Sequence, residues 1–242
     1  MVVAYRYGTR ATEDGRPYKG HCEFINIEGT FIMALTQKTL ADFSDILASN
    51  APAPGGGSTA ALSGALGASL SLMVASLTIG KEKYAEHEAL MKEISANVEK
   101  LRLELLGLVD RDTKAFDAVS AVFKMPKSTD DEKSKRSAAM QAALKACTLT
   151  PFEMIECSYK TLLQIDKIRG KYNTNAASDL GVAALSLKTA TQGAWLNMLI
   201  NLDSIKDEQF ASEYRKKGEE LSKEAITLAD EIYSEIETSL GG

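Results

Sequence analysis

The sequence predicts an all-α fold, a multihelical bundle in a single domain. Three observations carry that expectation. From Met33 onward apolar residues recur at steps of three and four; no segment there keeps strand alternation; and Pro, Gly and Asn mark the breaks between runs.

A first helix is expected from about Thr39 to Ala48, with Asn50 and Pro52 ending it. The turn Pro54-Gly55-Gly56-Gly57-Ser58 then opens a helix from about Ser58 to Ile79, made almost wholly of Ala, Ser, Gly, Leu and Met. No charged residue occurs from Ile46 to Gly80. Small residues at Ala60, Gly64 and Ala68, and again at Ser63, Gly67 and Ser71, would let neighbouring helices approach closely. An uncharged run of about 20 residues can span a bilayer. This run is rich in Ser, Gly and Ala instead of Leu, Ile and Phe, so the expectation is a central helix packed on all sides, with no membrane partner.

A long helix is expected from about Ala85 to Phe123, with the stripe Leu90, Ile94, Val98, Leu101, Leu105, Leu108, Phe116, Val119 and Phe123. Met125-Pro126 ends it. The polar stretch Ser128 to Lys135 leads into an Ala-rich helix near Ser134 to Thr148. Pro151, favoured in a first helical turn, is expected to start a separate helix that Arg169-Gly170 closes. Two more helices follow, about Ala176 to Asn201 and about Glu208 to Thr238. The last carries Phe210, Tyr214, Leu221, Ala225, Leu228, Ile232 and Ile236 as its stripe.

Residues 1–32 differ from the rest: turn residues mix with Tyr and Arg, and no helical period is present. They lack the charged start and apolar run of a signal peptide. Glu28-Gly29 implies purine-rich codons three positions before Met33, where a bacterial ribosome-binding site would sit. The expected division is therefore 1–32, either an over-extended start or a real extension with a small strand pair, and 33–242, the helical domain.

Composition narrows the function classes. The net charge of −5 offers no general attraction for nucleic acid or an anionic membrane. Cys22, Cys147 and Cys157 have no spacing for zinc or a disulfide framework, and so sparse a set fits a reducing cytoplasm. His21 and His87 lie far apart, which disfavours a histidine metal site or a Ser-His pair. Chemistry is left to carboxylates, lysines, amides and backbone groups.

Three segments could carry it. Gly55, Gly56, Gly57 and Ser58 form either a tight turn between packed helices or a ligand site. Glycines leave room for a ligand, Ser58 can cap the helix, and free amides favour an anion or an electron-rich oxygen. Asp112 stands on the long helix where the period asks for an apolar residue. A carboxylate there must be paired, hydrogen-bonded or protonated, so it is either a structural salt bridge or a functional group. Lys124 and Lys127, flanking the helix end near Pro126, are either plain C-terminal charges or a cationic mouth for an acidic substrate. Around Asn173 to Gly181, Asn175 is a plausible cap and Asp179 a first-turn acid, which leaves Ser178 unexplained. Gly193, Asn197 and Asn201 share one helix face, where the amides need partners from a neighbouring backbone or a ligand.

Taken together, these segments resemble the C-terminal family of formiminotransferase-cyclodeaminase. Pro52 to Ser58, with Gly64-Ala65-Leu66-Gly67-Ala68 and Leu77 to Tyr84, is similar to its opening motif. Asp112 with Ala115-Phe116, and then Lys124-Met125-Pro126, resembles the second motif. Asn175 to Ala184 resembles the third, and Gly193-Ala194, Leu196-Asn197 and Ile200-Asn201-Leu202 the fourth. Trp195 is bulkier than that motif suggests. The match runs from Thr36 to the C-terminus and leaves residues 1–32 outside.

The resemblance implies an all-helical cytoplasmic homodimer acting on one-carbon derivatives of tetrahydrofolate. Two reactions are implied: hydrolysis of the methenyl bridge to the 10-formyl compound, or closure of the formimino compound with loss of ammonia. It implies Asp112 first and Asp179 second as general bases beside a cationic bridge. Gly55, Gly56, Gly57, Ser58, Asn175, Ser178 and Asn197 would hold substrate, and Lys83, Lys124 and Arg169 its glutamate tail. No metal and no cofactor beyond the folate are expected. A folate-binding protein without the chemistry is the non-enzymatic alternative.

Overall fold

The computed structural model describes residues 34–241 and the backbone of 24–25 and 31–32. The reading of Met33 as a start, His21 and Cys22 lie outside the described residues. Contacts divide the chain into two compact units, Met1–Ala51 and Pro52–Gly242.

In the first unit, β1 (Phe24–Ile25) pairs antiparallel with β2 (Phe31–Ile32). Helix α1 (Leu40–Leu47) is capped by Thr39, whose hydroxyl accepts the Asp42 amide at 3.1 Å.

The second unit is helical throughout its described residues: α2 (Gly56–Thr78), α3 (Glu88–Phe123), α4 (Asp130–Lys167), α5 (Ala177–Leu202) and α6 (Glu208–Gly241), with short 3-10 turns at Glu82–His87 and Thr174–Ala176. Helix α2 packs chiefly against α3 and α5. Its small residues make that possible. A Cβ on Gly64 would stand 3.0 Å from Leu105 Cδ2 and 3.2 Å from the Ala190 Cβ, and one on Gly67 would stand 2.9 Å from the Ala183 carbonyl oxygen. A Cβ on Gly193 would likewise stand 3.0 Å from that of Ala60. The pairings 60 with 193, 64 with 190 and 67 with 183 run α2 and α5 antiparallel. Among the described residues α2 is the one helix long and apolar enough to cross a membrane. Its Ala60, Ala61, Ala65, Ala68, Val74 and Ala75 are instead buried in the bundle.

One expectation fails here. Pro151 does not begin a helix; it is buried inside the continuous α4. Proline there removes the amide that would bond the carbonyl four residues back, that of Cys147. Asn201 of α5 fills the gap, its Nδ2 donating to the Cys147 carbonyl at 2.9 Å. The true start of α4 is a capping box, in which Thr129 and Glu132 satisfy each other's backbone amides.

Trp195 also finds its reason. Gly218 of α6 is buried beneath it, and a Cβ at 218 would lie 2.7 Å from the indole and 2.9 Å from Met198 Cε. The expected stripe on α3 holds through Leu105 and Leu108, but Phe116 and Phe123 are exposed. The contact with α2 stops near Asp112, where α2 begins.

Candidate active site

The amides opening a helix have no partners within it. At α2 the N-cap is Gly55, which offers no side chain. Ser58 lies within the first turn and is not the cap, a correction to the expected role. The missing acceptor comes from α3. Ser58 Oγ donates to Asp112 Oδ2 at 2.9 Å, and the Ser58 amide favours the charge of that carboxylate. Asp112 thus caps α2 from a neighbouring helix, at the positive end of its dipole.

The fit is close. A Cβ built on Gly57 would stand 2.1 Å from Asp112 Oδ1 and 2.5 Å from Cγ. Only glycine leaves space for the acid there. Gly56 differs, since its Cβ would meet Asn197 Nδ2 at an ordinary 3.5 Å, and Gly55 would meet nothing.

Burial pushes the Asp112 carboxyl above the usual aspartate range, while the Ser58 hydroxyl and amide pull it back. Its neighbours are hydroxyls, amides and a thiol. Thr113 Oγ1 lies 3.3 Å from Ser58 Oγ. Burial and the negative Asp112 push the Cys147 thiol up to about 11, which keeps it protonated. Among the described residues no ion pair reaches Asp112, so the structural salt bridge is not what holds it.

The fourth motif reaches the same place. Asn197 lies beside Gly56 and spends Nδ2 on the Gly193 carbonyl at 2.8 Å, while Asn201 donates to the Asn197 carbonyl at 2.7 Å as well as to Cys147. The two amides are thus partnered by backbone. Gly55 to Ser58, Asp112, Asn197 and Asn201 come together, with Thr113 and Cys147 added by the structure.

The other predicted residues gather at the opposite end of α2. Thr78 Oγ1 accepts the Asn173 amide at 2.9 Å, and Asn173 Nδ2 donates to the Leu77 carbonyl at 3.0 Å. The Tyr84 hydroxyl accepts the Thr174 amide at 3.2 Å, and Lys83 lies over the Tyr84 ring. The capping residue is Asn173, whose Oδ1 accepts the Asn175 amide at 3.2 Å; the expected cap Asn175 is exposed, with Ser178 exposed and Asp179 half-buried in the first turn of α5. Arg169 is bonded to Asp166 at 3.0 Å and to Glu235 of α6. Twenty-three residues of helix put about 33 Å between this group and Asp112. Lys124 belongs to neither group; it is exposed at the C-cap of α3. Among the described residues no three His, Cys, Asp or Glu side chains converge as a metal site would require.

Thr113, Cys147 and Tyr84 were not singled out from the sequence. Asn201, expected to share a face with Asn197 and to need a partner, finds one in the neighbouring backbone, the carbonyl that Pro151 leaves open on α4.

A family model described as formiminotransferase-cyclodeaminase matches residues 39–220. A methenyltetrahydrofolate cyclohydrolase of Methylorubrum extorquens is 41% identical over 203 residues, 84% of this chain and 98% of that protein. The formimidoyltransferase-cyclodeaminase of Sus scrofa is 31% identical over 236 residues. That alignment covers 98% of this chain, reaching into residues 1–32, and 44% of the porcine protein. A crystal structure of formiminotetrahydrofolate cyclodeaminase from Thermotoga maritima superposes with a TM-score of 0.76 at 29% identity, covering 84% of this chain and 98% of that one.

Proposed function

Because this chain belongs to the formiminotransferase-cyclodeaminase family, we propose that it is a methenyltetrahydrofolate cyclohydrolase, converting the 5,10-methenyl compound and water to 10-formyl-tetrahydrofolate. The observation that carries the reading is a half-buried carboxylate, Asp112, held by Ser58 at the glycine-lined start of α2, in a chain 41% identical to a protein of that name.

The substrate's bridging carbon shares a positive charge with N5 and N10. A carboxylate beside it stabilises the cation, and burial strengthens the attraction. Water adds to the carbon as Asp112 takes one of its protons. The carbon–N5 bond then breaks, N5 takes the proton back from Asp112, and the remaining hydroxyl proton is released as the formyl C=O forms. The balance is one water consumed and one proton released, with no group beyond folate and water.

The same carboxylate would serve the second reading, a cyclodeaminase of the lyase class, which the likeness to the Thermotoga structure favours. In that reaction N5 keeps its carbon and ammonia leaves.

We further propose a cytoplasmic homodimer built on the outer face of α2 and α5. Leu66, Met73 and Leu77 of α2, with Val182, Leu185, Leu196 and Ile200 of α5, are exposed there. About 33 Å of two adjacent helices offers roughly 650 Å² per subunit, near the ~800 Å² of a standard interface. A two-fold axis across the middle of α2 maps each end of this face onto the other. It would set Asp112 of one protomer beside the end of its partner that carries Lys83, Asn175, Ser178 and Asp179. Asp179 would then act as the second acid from across the interface.

The deciding assay offers purified protein the methenyl and formimino compounds separately, following loss of methenyl absorbance and release of ammonia. Turnover of the methenyl compound alone is expected; ammonia release from the formimino compound at a higher kcat/KM would replace this reading with the second.

A further inference from the structure

The proposed reaction releases one proton per turnover, and the surroundings of Asp112 offer it hydroxyls, amides and a thiol. From α4 the titratable neighbour is Cys147, whose thiol is pushed up to about 11 and stays protonated. Helix α2 gives Asp112 the Ser58 hydroxyl and amide, and α5 brings the amides Asn197 and Asn201 into the same cluster. None of these titrates near neutral pH. His87 stands at the N-cap of α3, about 37 Å of helix from Asp112.

One hydroxyl beside Asp112 departs from the habit of its kind. Thr78, Thr148, Thr161 and Thr191, each within a helix, donate to the carbonyl four residues back at 2.7 to 3.0 Å. Among the described residues no carbonyl takes the proton of Thr113; its Oγ1 lies 3.3 Å from Ser58 Oγ instead.

The direction of that bond follows from counting hydrogens. Ser58 has one hydroxyl hydrogen and gives it to Asp112 Oδ2 at 2.9 Å. Thr113 therefore donates to Ser58, and Thr113, Ser58 and the carboxylate stand in file. Each donor polarises the next, so the file favours the charged acid. Thr113 is half-buried, which leaves the outer end of the file within reach of solvent.

We propose that Ser58 and Thr113 form a hydroxyl relay that carries the proton released in each turnover from Asp112 to solvent, with Thr113 a positioning residue of the reaction; the proposal rests on the cyclohydrolase reading above. As the formyl C=O forms, the ionised Asp112 takes the remaining hydroxyl proton. Both hydroxyls then turn, so that Asp112 donates to Ser58 and Ser58 to Thr113. The carboxyl proton passes to Ser58 Oγ, the Ser58 proton to Thr113 Oγ1, and the Thr113 proton to water. Each hydroxyl oxygen gains one O–H bond and loses one, and nothing is oxidised or reduced. Asp112 is left ionised, with the file pointing as it began.

The test uses the wild type, T113V and T113S. T113V keeps the branched shape and removes the hydroxyl; T113S restores the hydroxyl; thermal unfolding checks both folds. Rates on methenyl-tetrahydrofolate are measured against pH and against imidazole concentration. The Asp112 carboxyl is titrated in the substrate-free proteins by carbon NMR. In T113V, kcat should fall roughly ten- to a hundredfold, at or below what a positioned proton carrier contributes, with KM unchanged. Imidazole should restore that rate and leave the wild type unaffected. The Asp112 titration and the acid limb of the rate should both move upward in T113V, since the carboxylate loses support, and T113S should return every reading to the wild-type value. A T113V protein with wild-type kcat, or with a loss that imidazole does not repair, overturns the relay. An unmoved titration in T113V overturns the file itself and leaves the cyclohydrolase reading standing. A moved titration in a protein whose wild type leaves the methenyl compound untouched supports the file and removes the reading.

Discussion

The Asp112 carboxylate occupies the volume that any side chain on residue 57 would need, with Oδ1 2.1 Å from the position of a Cβ there. Two motifs separated by more than fifty residues of sequence are therefore one object. The glycine turn is shaped around an acid on another helix, and the acid completes the first turn of α2.

Gly57→Ala should accordingly displace the carboxylate. We expect a loss of about 1–3 kcal/mol of stability from the forced shift and at least a hundredfold fall in kcat/KM, as for loss of a general base. Gly56→Ala, whose Cβ meets only Asn197 Nδ2 at 3.5 Å, should retain most of both. Thermal unfolding and steady-state rates on the two variants check the contrast; equal losses would mean the glycines serve the turn and not the acid.

The pH dependence has a definite sign. Burial raises the Asp112 pKa, so this acid ionises at higher pH than an ordinary aspartate. If the ionised form does the work, kcat/KM rises with pH through the raised value and is lost below it. Ser58→Ala removes a bond that favours the charge, and should move the acid limb upward at a cost of about 1 kcal/mol in stability. Asp112→Asn should abolish the limb and lower the rate ~10²–10⁴-fold. Stability has the opposite sense. The native protein keeps this proton over a range where the unfolded chain has released it, so the group's contribution falls as pH rises through that range. Asp112→Asn should flatten that slope in denaturant titrations.

Asn201 and Pro151 form a second coupled pair. Asn201→Ala leaves the Cys147 carbonyl without its donor and should cost about 1–3 kcal/mol. Pro151→Ala supplies the missing helical amide, so Asn201→Ala should cost less in that background. A double-mutant cycle reads the difference. Strict additivity would show that the amide does not stand in for the proline's lost donor.

These pairs also show what could be read from sequence and what could not. Helix periods, the close approach along Gly64 and Gly67, and the anomaly of Asp112 are local or periodic, and a single chain displays them. The partner of Asp112 is not local. Ser58 was legible as a cap, the common use of serine before a helix, but the fold gives that place to Gly55 and spends Ser58 on α3. Pro151 misled for the same reason: a proline usually starts a helix, and only an asparagine on another helix makes it tolerable inside one. Arg169 looked available until α6 placed Glu235 beside it. That the chosen site residues fall into two groups at opposite ends of α2 required the fold.

The proposed dimer turns that separation into a test. Asp112→Asn and Asp179→Asn proteins, each nearly inactive alone, should regain activity when unfolded together and refolded. A heterodimer of the two has one site with both acids intact, so statistical mixing returns about a quarter of the wild-type rate. Sites formed within one protomer would return none. Leu66→Lys with Ile200→Lys should give a monomer by sedimentation and lose activity with it.

The Ser58 amide has one more use. It favours the charged form of the carboxylate whose proton the proposed reaction would move, so its chemical shift in an NMR spectrum should follow the ionisation of Asp112. Its exchange with deuterium should quicken when that acid is neutralised. A single backbone resonance would then report, without substrate or label, the charge of a side chain that absorbs no light of its own.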